Sequence, residues 1–565
     1  MKIKGALFLS FAFFVVGLLT LPHYGINWDT INHLPRGQVY LRYFLTGKKD
    51  FSDLPRYRLY WQKPEDLLPS EEVRKLPGPL RSFYQHDAFN FDWYMEIDGS
   101  GHPPLSDILS ALSNRIFFGH LKIINDIDSY RVYGLILASL LVGLVYYWVS
   151  GIYGSFSGVI ASLSLALYPL FWSESHFNTE KDVPEMVYWT FFLYSFWKGF
   201  TKKNWKWILV SGIFFGFGLG TKFNILFAVF IIIPWLIVYL GKKIFAKENF
   251  KLFSMALIAL LLGIIIFYAT WPYLWQDIIA GTQRVLGYYK EIGLTSSFDK
   301  RFIGFFGVNT YPLIWIFTTT PLIILFLFIV GFVSIIVNIK KDKTFTGVLF
   351  ALSFLVPVVR VSLPHANIYG GIRQIMEYIP FMTIVAGIGA GKIIGLIKQK
   401  SLKKIFAGIV LAGFLLLAYR IYKIHPNENV FFNELIDGLK GAKVLNINSW
   451  GNSFGAAYRQ GIKWINANAE DGSKLVFTYE LMPNIPLIWV RPDISFSNTN
   501  RSGFLRKGEY AITLTYQGTS ERSYYDSYLE KLFNPVYESI VDGVSIVKVW
   551  KNDIKYAKSG YRNQG

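Results

Sequence analysis

Eleven apolar runs divide the first 425 residues, and they constrain the fold more than any other feature. They lie near residues 5–22, 131–150, 154–171, 184–198, 207–221, 223–240, 252–271, 313–337, 345–361, 377–397 and 404–422. A helix needs about 20 mainly apolar residues to cross the roughly 30 Å hydrocarbon core of a bilayer. The chain therefore reads as a polytopic α-helical membrane protein of about eleven transmembrane helices. No small-residue cleavage site follows the first run, so it reads as a retained span rather than a signal peptide. The run 207–221 is short and carries Gly212, Gly216, Gly218 and Gly220. Such small residues suit tilting or close approach to a neighbouring helix.

The formal net charge is +19, yet only 17% of the 565 residues are charged and 52% are hydrophobic. Nucleic-acid binders carry basic charge on a polar surface, and disordered chains lack apolar content. Both classes are excluded. The absence of cysteine removes disulfides, thiolate nucleophiles and Cys-ligated metals. The location of the lysines explains the charge. With the N-terminus inside, the segments 1–4, 151–153, 198–206, 241–251, 339–343 and 391–404 face inward. They hold 18 lysines, opposed only by Glu248 and Asp342. Short inner loops gather Lys and Arg, so this orientation is expected: a multi-pass protein of the plasma (inner) membrane, N-terminus cytoplasmic, C-terminus outside.

Three outer segments are too long to be simple connectors: 23–130, 272–312 and everything after about 423. The expected division is a membrane domain over 1–425 and a small extracytoplasmic α/β domain over 426–565. In the latter, residues 442–447, 474–479, 487–491, 510–516 and 544–550 read as strands. Residues 454–466 and 521–533 have helical spacing, with Ser453 a candidate cap of the first.

The residues suited to chemistry sit in the outer segments. Asp29 follows the first span, at a low-dielectric boundary where desolvation raises a carboxylate's pKa and its strength as a base. Asp29 also suits an N-cap for the helical stretch 30–46, and the two roles are compatible. His102-Pro103-Pro104-Leu105 should open a helix over 106–118 and hold His102 rigidly at its entrance; a lone His is more often structural. Asp87, Asp92, Glu96 and Asp98 offer oxygen ligands to a divalent cation, although a solvated loop face is the commoner fate of such a run. Glu174, His176, Glu180, Lys181 and Asp182 crowd the loop before Pro184, more ionisable groups than capping needs. Lys222 closes a Gly-rich turn on the outer side, against the general bias. It suits a lipid phosphate or snorkelling to the headgroups. Arg360, His365, Arg373 and Glu377 surround the outer loop before the tenth run, and Arg373 is a second phosphate candidate.

Other chemistries find little support. No Walker-type phosphate loop or HExxH zinc helix is present. Gly451-Asn452-Ser453-Phe454-Gly455 fits a nucleophile elbow. A hydrolase triad of that kind needs a later His, and the last one is His425, so a capping Ser453 is the better reading. Trp450-Gly451 and Tyr524-Tyr525 offer surfaces for stacking on sugars, with core packing as the ordinary alternative.

Together these segments resemble the GT-C glycosyltransferases, in the protein O-mannosyltransferase and aminoarabinose-transferase branch. The bacterial dolichyl-phosphate-mannose-protein-mannosyltransferase-like form is the nearest. Asp29 falls where that family has an acidic residue after its first span. His102-Pro103-Pro104-Leu105 matches a family motif. Phe177-Asn178-Thr179-Glu180-Lys181-Asp182-Val183-Pro184 is similar to the bacterial Phe-Asn-Pro-Lys-Asp-x-Pro signature, with Thr179-Glu180 in place of the single Pro. Gly218–Lys222 resembles a turn ending in Thr-Lys, and 371–380 resembles an Arg-aromatic-Pro segment. The resemblance covers residues 5 to 425. Two departures stand out: Thr30 follows Asp29 where many relatives have a second acid, and 48–100 matches nothing.

The resemblance implies inverting transfer of a sugar from a polyprenyl-phosphate donor at the outer face. Asp29 would act as general base, Lys222 and Arg373 would hold the donor phosphate, and His102, Lys181 and Asp182 would shape the site. The acceptor would be a lipid, glycan or protein, with no nucleic acid involved and no cofactor beyond a divalent cation at most. Competing readings are a flippase for lipid-linked sugars, a ligase using a diphosphate-linked glycan and a non-catalytic scaffold. A flippase would favour paired halves with broken mid-membrane helices, and no such internal symmetry is evident.

Overall fold

The computed structural model describes residues 2–27, 29–49, 94, 101–294, 300–447, 456–477, 489–491, 493–497, 509–515 and 524–559. The expected sites at Asp87, Asp92, Glu96, Asp98, Trp450 and 451–455 lie outside these.

All eleven apolar runs are helical. The first is α1 (Lys2–Thr20), and the outer segment that follows contributes α2 (Thr30–Thr46) and α3 (Leu105–Asn114). The membrane part continues with α4 (Asp126–Tyr153), α5 (Ser155–Ala166), α6 (Pro169–Phe177), α7 (Asp182–Thr201), α8 (Trp205–Leu219), α9 (Val229–Leu240) and α10 (Lys247–Thr270). Then come α11 (Ile278–Leu294), α12 (Tyr311–Thr319), α13 (Leu322–Val337), α14 (Thr346–Ser362), α15 (Tyr378–Leu396) and α16 (Lys400–Ile424).

Two of the eleven runs are bent. Among the described residues, six helices are long and apolar enough to cross a membrane, or eight if each of two bent pairs is one span. The run 154–171 is divided between α5 and α6, which meet at 57°, and the run 313–337 between α12 and α13, at 118°. Proline explains both breaks. Pro169 occupies the first turn of α6 and Pro321 the cap of α13. Neither residue can donate the backbone bond that would continue the preceding helix.

Helices α4 and α15 are mostly buried and form the centre; α1, α10 and α16 are peripheral. The glycines of α8 act as anticipated. A Cβ on Gly212 would stand 2.4 Å from the carbonyl oxygen of Ala259, so only glycine lets α8 lie this close to α10. Gly389 of α15 meets the Leu327 carbonyl of α13 in the same way, at 2.0 Å.

The C-terminal part has α17 (Gly438–Val444), α18 (Tyr458–Asn468), α19 (Tyr524–Leu532) and five strands. These are β1 (Lys474–Phe477), β2 (Ser495–Ser497), β3 (Glu509–Leu514), β4 (Tyr537–Val541) and β5 (Val544–Lys551), in sheet order β2-β1-β3-β5-β4. β1 runs parallel to β2 and β3, and β5 antiparallel to β3 and β4. Two strand expectations fail. The segment expected as a strand over 442–447 is instead the end of the helix α17 and the turn after it; the helix's buried Leu439 and Ala442 stand three apart, a helical spacing. Short apolar runs do not separate the two forms. In 487–491, the described residues 489–491 are not strand.

A bidentate ion pair ties this part to the membrane helices. Arg459 Nη1 and Nη2 donate to Asp128 Oδ1 and Oδ2 at 2.8 and 3.1 Å. Beside it, the Gly25 N–H donates to the Ala456 carbonyl at 2.9 Å. That contact holds the residues just before Asp29 against the domain.

Candidate active site

The end of α1, the start of α7, the end of α8 and the start of α15 converge at one end of the bundle. α7 runs from Asp182 here to Lys198 and Thr201 at the lysine-rich end. At about 1.5 Å per residue, its 20 residues separate the two ends by roughly 30 Å.

The convergence brings five of the six sequence-derived candidates into one ion-pair network. Lys181 Nζ and Arg373 Nη1 each donate to Asp29 Oδ2 at 3.0 Å. The same Arg373 Nη1 donates to Asp182 Oδ2 at 2.9 Å, and Lys222 Nζ donates to Asp182 Oδ1 at 2.7 Å. Two carboxylates therefore pair with three cations, and the buried Glu174 carboxylate acts on Arg373 as a third acid. Asp182 is 1% exposed and Asp29 21%, so the Asp29 end is the accessible one.

Each position follows from its local chain. Asn27 accepts from the N–H groups of Asp29 and Thr30 at 2.7 and 3.0 Å, which turns the chain sharply out of α1. Asp29 stands at the N-cap position of α2, with no capping bond from its side chain. Its carboxylate is therefore free for the two cations, and the capping role falls away. Lys222 leaves α8 after its backbone N–H bonds Gly218, and its ammonium also donates to the Gln374 carbonyl at 2.9 Å.

His102 lies apart from this network. Its Nε2 is 3.4 Å from the Tyr288 hydroxyl and its ring centroid 5.5 Å from that of His33. Burial, with Lys181 and Arg36 nearby, holds it well below the ordinary imidazole pKa, so it is neutral. Its loop is anchored by the Leu105 N–H on the Gly220 carbonyl, 2.9 Å, and by Ser106 against Thr221, 2.7 Å. Arg360 stacks instead on Phe227 at 4.8 Å, and His365 is exposed.

The expectation of a raised Asp29 pKa is overturned. Burial pushes it up, but Lys181 and Arg373 outweigh burial and hold it well below the usual carboxylate range. Asp182 is likewise lowered: burial opposes, and Lys222 and Arg373 prevail. Glu180 goes the other way. It has no cation to offset burial and is pushed up to about 7, although Thr30 donates to it at 2.7 Å. A carboxyl raised in the fold keeps its stabilising proton at low pH and becomes a liability as pH climbs from about 4.5 through about 7. Glu180→Gln is thus expected to be near neutral at pH 5. At pH 8 it should stabilise by up to about 3 kcal/mol, read as a higher thermal unfolding midpoint in detergent. Equal midpoints for variant and parent at pH 8 would count against the raised carboxyl.

Among the described residues no group of three or more His, Asp or Glu side chains is placed to hold a metal ion.

With the geometry in place, comparison with known proteins is informative. Residues 101–271 match the family model of the dolichyl-phosphate-mannose-protein mannosyltransferases. The chain carries a domain of this family. The mannosyltransferase-family domain contains His102, Lys181, Asp182 and Lys222; Asp29 and Arg373 flank it. Among solved structures, ArnT from Cupriavidus metallidurans in the apo state has 11% identity and a TM-score of 0.49, covering 97% of this chain and 98% of that one. The same protein bound to undecaprenyl phosphate gives 12% and 0.49, with the same coverage. The Archaeoglobus fulgidus oligosaccharyltransferase has 11% identity and a TM-score of 0.42, covering 88% of this chain and 65% of that one. No match is found among curated proteins.

Asn178, part of the Phe177–Pro184 signature but assigned no role from the sequence, orders the site. Asn178 Nδ2 donates to Glu174 Oε2 and Asp182 Oδ2 at 2.7 and 2.8 Å, and its Oδ1 accepts from the Asp182 N–H at 3.0 Å. It holds two carboxylates in register. Asn178 stands just past the end of α6 and Asp182 opens α7, so an amide in the short turn between them was the available signal.

Proposed function

We propose that the chain is an integral-membrane glycosyltransferase that moves a sugar from a polyprenyl-phosphate donor to a lipid, glycan or protein acceptor at the outer face, with inversion. The observation that carries this reading is the position of Arg373. One guanidinium nitrogen joins the accessible carboxylate Asp29 to the buried Asp182–Lys222 pair. A candidate general base and two candidate phosphate-binding cations thereby share one site, and the lysine-rich loops at the other end of the bundle support an outward position for it.

In the reaction, the acceptor oxygen or amine forms a bond to the anomeric carbon as the bond from that carbon to the phosphate oxygen breaks. The phosphate leaves with the electron pair, and Asp29 takes the acceptor's proton. Lys222 and Arg373 stabilise the charge that develops on the leaving phosphate. Lys181, Asp182 and His102 hold these groups in place. The low pKa of Asp29 suits a resting state. A donor phosphate that takes up Lys181 and Arg373 removes their pull, and the burial that remains strengthens the base. An apolar groove of about 400 Å³, lined by Phe192, Phe215, Ile225 and Ile232, begins within three residues of Lys222 and fits an isoprenoid chain.

The direct test reconstitutes the chain in liposomes with polyprenyl-phosphate sugars and acceptors. Candidate acceptors come from comparing lipids, glycans and glycoproteins of a deletion strain by mass spectrometry. No transfer with any donor, and no missing sugar, would overturn the proposal. Lys222→Ala is expected to raise the KM for donor by about tenfold or more, leaving that for acceptor within about twofold. Equal loss for both would remove Lys222 from the donor site.

A further inference from the structure

A cavity of mixed lining lies at the opposite, lysine-rich end of the bundle, away from Asp29. It has a volume of about 390 Å³. It opens between the start of α5, the end of α13, the start of α14 and the end of α15. Its lining divides by chemistry. Ile152, Ile335, Val348 and Ile388 form an apolar wall, while Lys341 and Lys392 supply two cations.

Three features mark it as a built site. First, neither ammonium has a hydrogen-bond or ion-pair partner among the described residues. Secondly, Asp342, the acid in the lining, is already committed: Oδ1 accepts from the Thr344 N–H and hydroxyl at 3.1 and 2.9 Å, and Oδ2 from the Gly347 N–H at 2.8 Å. It caps the loop into α14 and pairs with neither lysine, so the lining keeps one positive charge in excess. Thirdly, the wall is closely packed: a Cβ on Gly391 would stand 2.0 Å from Ser157 Oγ, so glycine lets α15 lie against α5 there. Free cations at the mouth of an apolar cleft between membrane helices suit an amphiphile with a negative head. Basic pockets between spans on the cytoplasmic side bind anionic headgroups for this reason.

We propose that this cavity binds the phosphate headgroup of an anionic phospholipid, with Lys341 and Lys392 on the phosphate and an acyl chain along the Ile335–Ile388 wall. The site is separate from the sugar-transfer site and does not depend on that reading.

The test uses the purified full-length chain and measures binding of a fluorescent phosphatidylglycerol against phosphatidylcholine of the same chain length. About fivefold per lysine near an anionic headgroup predicts roughly 30-fold preference for phosphatidylglycerol. Lys341→Ala with Lys392→Ala should abolish that preference, and Lys341→Arg with Lys392→Arg should keep it. Lys202→Ala with Lys206→Ala, which removes exposed lysines outside the cavity, should leave it unchanged. Millimolar inorganic phosphate should fail to displace the lipid, since it lacks the apolar contact. Full displacement by phosphate would make the ligand a free anion and overturn the lipid assignment. So would equal binding of both lipids, or unchanged preference in the double alanine variant.

Discussion

Asp29→Asn is expected to cut sugar transfer by about 10²–10⁴-fold, the usual contribution of a positioned general base, while polyprenyl phosphate binds as tightly as before or more tightly. The asymmetry follows from the ion pairs. Asn is nearly isosteric but carries no charge, so Lys181 and Arg373, both now held on Asp29 Oδ2, become more available to a donor phosphate. Transfer rate and phosphate affinity, measured on one preparation, separate the outcomes. Wild-type transfer would remove Asp29 from proton transfer; parallel loss of transfer and phosphate binding would indicate a collapsed site. The pH profiles give a second readout. With Asp29 held well below the usual carboxylate range in the free site, kcat/KM should show no acid limb from it above about pH 4. Once phosphate has taken up the cations, kcat should acquire an acid limb at higher pH.

Sequence carried the helical elements further than it carried their geometry. Apolar length and lysine asymmetry located all eleven helical runs, because both reflect the solvent each residue must face. The breaks at Pro169 and Pro321 were visible as prolines, but their angles are set by packing against neighbouring helices. In the C-terminal part, the strand Tyr537–Val541 was missed although Asp542-Gly543 was the signal for it. Both residues have positive φ, 50° and 75°, and close a two-residue hairpin into β5, a turn that such a dipeptide favours. At the site, charge type and chain position were legible because ionisable groups at span ends are costly without a purpose. Partnership was not. The sequence placed Asp29 at a low-dielectric boundary and so pointed to a raised pKa. The opposite sign arises from Lys181 and Arg373, 152 and 344 residues further along the chain, proximities that no local pattern records.

Arg373→Ala is expected to have the largest combined effect on stability and activity, and Arg373→Lys should separate its two parts. The guanidinium is 8% exposed and serves two carboxylates at once. Removing one partner from a buried ion pair costs about 3–5 kcal/mol, because the remaining charge is left without compensation. Here Lys181 and Lys222 still serve Asp29 and Asp182, so the lower end of that range applies. The alanine variant should unfold at lower temperature and lose about 10²–10³-fold in transfer, the cost of removing one donor that stabilises a developing oxyanion. Lysine restores the charge but offers a point ammonium in place of a planar fork. It should recover most of the stability and little of the transfer. Full recovery of both would show that charge alone suffices. Adding Glu174→Gln to Arg373→Ala supplies the decisive comparison, since Glu174 is a further buried carboxylate acting on Arg373. If the alanine penalty arises from an uncompensated buried carboxylate, the second change should restore part of the lost stability without restoring transfer. Additive losses would instead place the penalty in packing around the missing side chain.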